Sequence, residues 1–283
     1  MPLKEAKLPI TEWGYRRSDV TYDVVGVYFG AFFRLADHIR RFRSSMDKLH
    51  LKPEESDERI AEILTELVQR TGLREAYVAM DCARSRPPRG GPLHPAYSRS
   101  YLICHAMPWV WVFTPEQQER GVHAMIASVE RIAPESVDPT AKNFHWADFT
   151  RGNFEAHAAG METAILLDRH GNVTEGPGYN VFVVTNGKVA TPQSGVLEGI
   201  TRKSVLELCA ELGIQAEVRD VPRAELEAAD EIFFSTTAGG IMPVSRLGSR
   251  ILGNDRPGPI SAKIKDVFWD KRRKGWQATP ISY

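Results

Sequence analysis

The apolar period of this chain switches between two residues and roughly 3.6 residues several times along its length, and this alternation constrains the fold more than any other feature. Strands repeat apolar side chains every second residue and helices every third or fourth, so a chain that does both in turn must pack helices on sheets. Leu35, Ile39, Phe42, Met46 and Leu49 recur at helical spacing. Ile60, Ile63, Leu64, Leu67 and Val68 do so again before Gly72 ends the turn. These two amphipathic helices follow an N-terminal strand. "EAYVAMDCA" and "RSYLICHAMPWVWVF" read as strands, separated by the Arg/Pro/Gly-rich loop "RSRPPRGGPLHPAYS" at 84 to 98. That loop is too long for a hairpin turn, and loops of such length in compact domains usually carry function.

The polar segment "TPEQQERG" at 114 to 121 is the linker candidate, because strand character resumes directly after it with "VHAMIASVERI". A helix is expected after Lys142, strands at "METAILLD" and "GYNVFVV", a helix at "TRKSVLELCAELG" closed by Gly213, and a further strand region at "EIFFSTTAGGIMPV". The 283 residues are enough for two domains with cores of their own. The expectation is a two-domain α/β protein: a smaller N-terminal domain over 1 to 113, a linker over 114 to 121, and a larger domain over 122 to 283. Neither an internal repeat nor a low-complexity tract interrupts it.

Charge excludes several function classes. Lys+Arg and Asp+Glu number 36 each, so no net field recruits nucleic acid or an anionic membrane surface, and a small-molecule ligand is the better expectation. The three cysteines, Cys82, Cys104 and Cys209, are far apart and form no CxxC pair, which argues against a disulfide framework or a zinc knuckle and for a reducing cytoplasm. "MPLKEAKLPITEW" lacks the apolar centre of a secretory signal, and the run "MPWVWVF" is too short to span a bilayer. HExxH, a phosphate-binding GxxxxGK[ST], a complete dinucleotide fingerprint and GxSxG are all missing. The histidines show no metal-ligand spacing, and His38, His145 and His157 are expected on helices in structural roles.

Four places have the composition of a chemical site. Lys142 stands in "PTAKNFHWADFTRGNFEA" just ahead of a helix that reads as buried. Desolvation there disfavours the ammonium form, as suits an amine that must act as nucleophile and base. Glu175 ends a strand in "VTEGPGYN". In "VLEGITRKSVLEL", Gly199, Ile200 and Thr201 mark the passage from loop to helix, where free N–H groups and the helix dipole favour an anion. "STTAGG" at 235 to 240 is a second small-residue turn with hydroxyls. Each has an ordinary structural alternative, since most helix N-termini bind only water and most strand-end glutamates are solvated.

The order of these motifs resembles one family along about residues 14 to 283. "AKNFHW", "EAHAAGMETAILLDRHGNVTEGPGYNVFVV", "TPQSGVLEGITRKSV", "ADEIFFSTTAGGIMPV" and "GPI" look like the fold-type IV pyridoxal-phosphate aminotransferases, which include the branched-chain, D-amino-acid and (R)-selective amine transaminases. "SDVTYDV", "KNFHW", "RGNFEA", "ITRKSV" and "TTAGGIMP" look most like the (R)-amine group. The resemblance implies pyridoxal 5'-phosphate as cofactor, bound by the larger domain, and a homodimer. An amino group would pass from an (R)-amine or D-amino acid to a keto acid such as pyruvate. A D-amino-acid or branched-chain aminotransferase, a lyase of the same fold and a silent cofactor-binding protein are the alternatives.

The resemblance also implies roles. Lys142 would form the imine with the cofactor and carry the substrate proton. Glu175 would hold a proton on the pyridine nitrogen. Arg41 would bind the phosphate, with Arg40 solvated; Ile200 and Thr201 would give backbone N–H groups to it, and Thr236 and Thr237 would serve the cofactor from the small-residue turn. Leu197 would pack on the cofactor ring, and Trp146 stands where relatives carry a tyrosine near it. Tyr22 and Tyr77 would line the smaller and larger substrate subsites, with Arg17, Thr236 and Ala238 also on the substrate side. Arg17 replaces a histidine of the amine group, and Ala79 replaces a glutamate. The loop offers Arg84, Arg86 and Arg89, and Arg89, beside Gly90 and Gly91, is the expected mobile partner of a substrate carboxylate.

Overall fold

A computed structural model describes residues 1–283. The elements run, in chain order, α1 (Trp13–Arg17), β1 (Val20–Tyr28), β2 (Ala31–Phe33), α2 (Leu35–Lys48), α3 (Asp57–Thr71), β3 (Ala76–Arg84) and β4 (Ser100–Pro108). There follow α4 (Pro115–Arg120), β5 (Val122–Glu130), α5 (Ala147–Ala158), β6 (Thr163–Leu167), β7 (Glu175–Gly176), β8 (Tyr179–Thr185), β9 (Lys188–Thr191) and α6 (Ile200–Glu211). The chain ends with β10 (Ala216–Val218), α7 (Arg223–Ala228), β11 (Glu231–Thr236), β12 (Gly240–Leu247), β13 (Arg250–Ile251), α8 (Pro259–Arg273) and β14 (Ala278–Pro280). Two units result, one comprising 1–109, 140–145 and 275–283, the other 110–139 and 146–274. No helix is long and apolar enough to cross a membrane.

The first unit is an antiparallel sheet in the order β14-β2-β1-β3-β4. Alternation puts Val25 and Val27 of β1 and Val78, Met80 and Cys82 of β3 on one face. There they bury against Phe42 and Met46 of α2 and Ile60 and Leu64 of α3. The Ser56 side chain caps α3 by accepting from the Arg59 N–H, and Gly72 ends it at φ 69°, a left-handed conformation that favours glycine. The other face of this sheet carries Tyr22, Tyr77, Ala79 and Asp81, because Tyr22 pairs with Asp81 and Val24 with Ala79.

In the second unit the strand order is β10-β9-β8-β11-β12-β5-β6, with β7 added to β8 and β13 to β12. The pairs β9–β10, β5–β12 and β5–β6 are parallel and the others antiparallel. Tyr179 stacks on Phe234 at 4.1 Å in a core that includes Val181, Val183, Ile232, Met242 and Val244.

Several sequence expectations differ from this arrangement. The proposed linker, 114–121, contains α4, whose Thr114 and Gln117 form a reciprocal capping box behind a proline. The Gln118 amide donates to the Phe113 carbonyl, so the segment is ordered structure within the second unit. Secondly, the division is not a single cut, because β14 pairs with β2 and Asn143 bridges Thr21. Such pairings join residues far apart in sequence and leave no mark in a local hydrophobic pattern. Thirdly, β4 stops at Pro108 before "WVWVF", and His145 precedes α5, while His38 and His157 do lie on helices.

Candidate active site

Lys142 occupies a short extended segment pinned to β1 and α2. Its carbonyl accepts from the Tyr22 N–H at 3.1 Å and the Thr21 hydroxyl at 2.6 Å, and its own N–H donates to the Ser45 hydroxyl at 3.1 Å. These bonds fix the backbone five residues before α5, so Lys142 is held by strand pairing and is not the first turn of a helix. Its Nζ lies 4.3 Å from the centroid of the Tyr22 ring, which meets Phe144 edge-on at 4.9 Å.

On the core side of the same strand, Asp23 is fully buried and organises Arg41. Nε and Nη2 of Arg41 both donate to it at 2.8 Å, Nδ1 of His38 lies 2.8 Å away, and the Val24 N–H donates at 2.7 Å. Burial alone would raise the Asp23 carboxyl, but Arg41 and His38 outweigh it and hold the group well below the usual carboxylate range. Burial pushes His38 below its ordinary value despite Asp23. A two-pronged contact of this kind fixes the plane of the guanidinium. His38 thus has the structural role expected of it.

Tyr22 and Tyr77 share the open face of the first sheet. Burial raises the Tyr77 phenol, with Tyr22 and Asp81 adding to the effect, so it stays protonated. Burial pushes Asp81 up to about 7. Arg17 is exposed at the end of α1, its guanidinium 3.7 Å from the Trp13 ring centroid. The three loop arginines part company. Arg84 is buried, donating to Asp19 at 2.7 Å and to the Leu49 and His50 carbonyls at 2.6 and 3.3 Å, and is therefore withdrawn as a substrate ligand. Arg86 and Arg89 are exposed, and Gly90 beside Arg89 has φ 82°.

Within the second unit, Glu175 opens β7 and is 6% exposed. Nη2 of Arg131 donates to one of its oxygens at 3.2 Å and the Leu197 N–H to the other at 3.0 Å. Arg131 also donates to Asp148 at 2.6 Å and lies 4.2 Å from the Phe149 ring centroid. Sequence reasoning missed both Arg131 and Asp148. An arginine 44 positions from its carboxylate has no local signature, and only the turn of the chain joins them. The arrangement is an ion pair in which each oxygen of Glu175 accepts one hydrogen bond.

The loop before α6 is tied to the strands on both sides of Leu197. Asn180 donates to the Leu197 carbonyl at 2.8 Å, and a Cβ on Gly199 would come within 2.0 Å of the Asn180 Oδ1, so only glycine fits there. No side chain caps α6, which leaves the N–H groups of Ile200 and Thr201 without partners inside the helix. Thr236 donates its hydroxyl to the Gly178 carbonyl at 2.7 Å. Thr237 and buried Ala238 lie in the tight turn between β11 and β12, and the half-buried Thr237 makes no hydrogen bond through its hydroxyl within the protein. Trp146, 36% exposed, meets Phe149 edge-on at 5.5 Å, and its ring would touch a Cβ on Gly178 at 3.4 Å.

Each unit, taken by itself, carries groups of the kinds that a phosphorylated pyridine aldehyde needs. The first has an amine beside aromatic rings and an arginine oriented by a buried aspartate; the second has an uncapped helix N-terminus and a buried carboxylate held by arginine.

Comparison with known proteins agrees. The family described as Amino-transferase class IV matches residues 21–247. The branched-chain-amino-acid aminotransferase of Escherichia coli (strain K12) is 31% identical over 245 residues, covering 84% of this chain and 77% of that protein. A Methanocaldococcus jannaschii protein given the same activity provisionally is 31% identical over 274 residues, 96% of this chain and 93% of its own. Among solved structures, the branched-chain amino acid aminotransferase of Thermobaculum terrenum in its PLP-form, the holo-form, superposes with a TM-score of 0.89 at 26% identity, covering 100% of this chain and 96% of that one.

Proposed function

Because this chain belongs to the class IV aminotransferases, we propose that it moves an amino group from an (R)-amine or D-amino acid to a keto acid such as pyruvate. It is a pyridoxal-phosphate-dependent transaminase of fold type IV acting on small amino and keto compounds. Bound pyridoxal phosphate supplies the electron sink that makes removal of the substrate α-proton feasible. The residues supply the rest. Lys142 would hold the cofactor, and its free amine would carry the proton between the substrate carbon and the cofactor. Glu175, which accepts from Arg131, would hold the proton on the pyridine nitrogen. By the family resemblance, Arg41 of the first unit would serve the phosphate; in the second unit the N-terminus of α6 and the Thr236–Ala238 turn would serve it too, and Leu197 and Trp146 would serve the ring. Tyr22 and Tyr77 shape the donor subsites. The site works in a cytoplasmic homodimer.

One observation carries the choice of donor. On the sheet face bearing Tyr22 and Tyr77, β1 and β3 contribute Ala79 and Asp81 and no basic side chain, and Arg84 is bound elsewhere. A donor carboxylate placed on that face would meet a like charge, so of the two proposed donors an (R)-amine suits that face better than a D-amino acid. The relatives' names favour a second reading, a branched-chain amino acid as donor. A panel of (R)- and (S)-amines and D- and L-amino acids, scored by bleaching of the visible cofactor band, separates them. Bleaching by (R)-amines or D-amino acids supports the first reading, and bleaching confined to L-leucine, L-isoleucine and L-valine replaces it with the second.

A further inference from the structure

We propose that Asp81 selects amino donors that carry a second cationic group at the end remote from the reacting amine. The inference rests on the reading that the Tyr22–Tyr77 face receives the donor. Asp81 is the direct cross-strand neighbour of Tyr22, and the Lys142 amine lies against that tyrosine ring. Its same-face neighbours are Ala79 and Ala83 along β3 and Ile103 across on β4, all uncharged.

The contrast with the buried carboxylates is the strongest evidence. Asp23 takes Arg41, His38 and a backbone N–H. Asp148 takes Arg131 and two backbone N–H groups, and Glu175 takes Arg131 and Leu197. Glu231 takes the N–H groups of Ile260 and Ser261 and the Ser261 hydroxyl. Asp81, half-buried, receives no hydrogen bond and no ion pair from the protein. His105, diagonal to it on β4, is pushed down by burial and so is no cation at neutral pH. A carboxylate half removed from water and left unpaired is unfavourable, and a cation brought by a ligand removes that penalty. An apolar tail would leave the carboxylate desolvated and unpaired, so the site discriminates against it as well as for its charged analogue. Adding the amine-to-ring distance to the cross-strand separation of side chains gives a reach of roughly 8 to 10 Å. A spacer of four or five carbons fits.

The test compares isosteric donors that differ only in a terminal methyl or ammonium. These are (R)-2-aminoheptane against (R)-1,5-diaminohexane, and norleucine against ornithine in both enantiomers, using the holoenzyme with Asp81→Asn and Asp81→Ile. The expected result is a kcat/KM preference of about tenfold or more for the cationic member in the wild type. Both variants should lose it, Asp81→Ile reversing it, with the visible cofactor band intact. A cationic-to-apolar ratio near unity, or one that neither variant changes, overturns the Asp81 assignment and leaves the transaminase reading standing. Failure of the wild type to convert any donor overturns both.

Discussion

Replacing Asp81 by asparagine should stabilise the protein, and by an amount that depends on pH. The carboxyl titrates near 3.8 when solvated and is pushed up to about 7 by burial in the folded chain. A group that binds its proton more tightly folded than unfolded contributes fully below about pH 4. That contribution is lost as the pH rises through 7, because folding then must either desolvate the charge or take up a proton. At about 1.4 kcal/mol per pH unit the rise corresponds to an upper limit of about 4 kcal/mol. Asp81 is only half-buried, so water reaching its oxygens should reduce this to about 2 kcal/mol. Asparagine has no charge to desolvate at any pH. Urea unfolding of the cofactor-free protein at pH 4.5, 6, 7.5 and 8.5 should therefore show the variant pulling ahead of wild type as pH rises, with the gap levelling off above about 8. A gap that stays flat across this range, or an asparagine variant less stable at pH 8.5, would show that Asp81 finds a partner in solution and refute the reasoning.

Other perturbations address the remaining groups. Lys142→Ala should abolish turnover and the borohydride-trappable bond to the cofactor while circular dichroism stays unchanged; normal transamination would remove the residue from its role. Glu175→Gln should keep the cofactor but lose most turnover, because an amide cannot hold the pyridine proton as a carboxylate does. Unchanged rates would assign that task elsewhere. Asp23→Ala takes from the half-buried Arg41 and the buried His38 an acceptor that both share, and should lower stability by about 3 kcal/mol in urea titrations. It should also weaken cofactor binding measured by equilibrium dialysis. Arg89→Ala should slow the pyruvate half-reaction by about 2 kcal/mol in transition-state terms while leaving apolar (R)-amines much less affected. Equal effects in single-turnover kinetics would mean that Arg89 is a solvated loop residue.

The sequence by itself determined the position of several main elements and the family. The periods of α2, α3, β8 and β11 follow from local side-chain spacing, and the helix ends at Gly72 and Gly213 follow from what glycine permits. The motif order around Lys142, Glu175 and "GITRKSV" was enough to give the family, because its chemistry is carried by short contiguous stretches. Tertiary structure decided what each of those residues is held by. Arg131 and Asp148 beside Glu175, Asp23 and His38 beside Arg41, and the bonds that tie up Arg84 all join positions distant in the chain, so no local period or motif announces them. The same holds for the units themselves, where a three-residue C-terminal strand returns to β2 and moves the boundary from where composition alone placed it. Asp81 shows the limit most plainly. In sequence it is one polar residue in an alternating strand, and only the register opposite Tyr22 and the lack of any protein partner give its carboxylate a meaning.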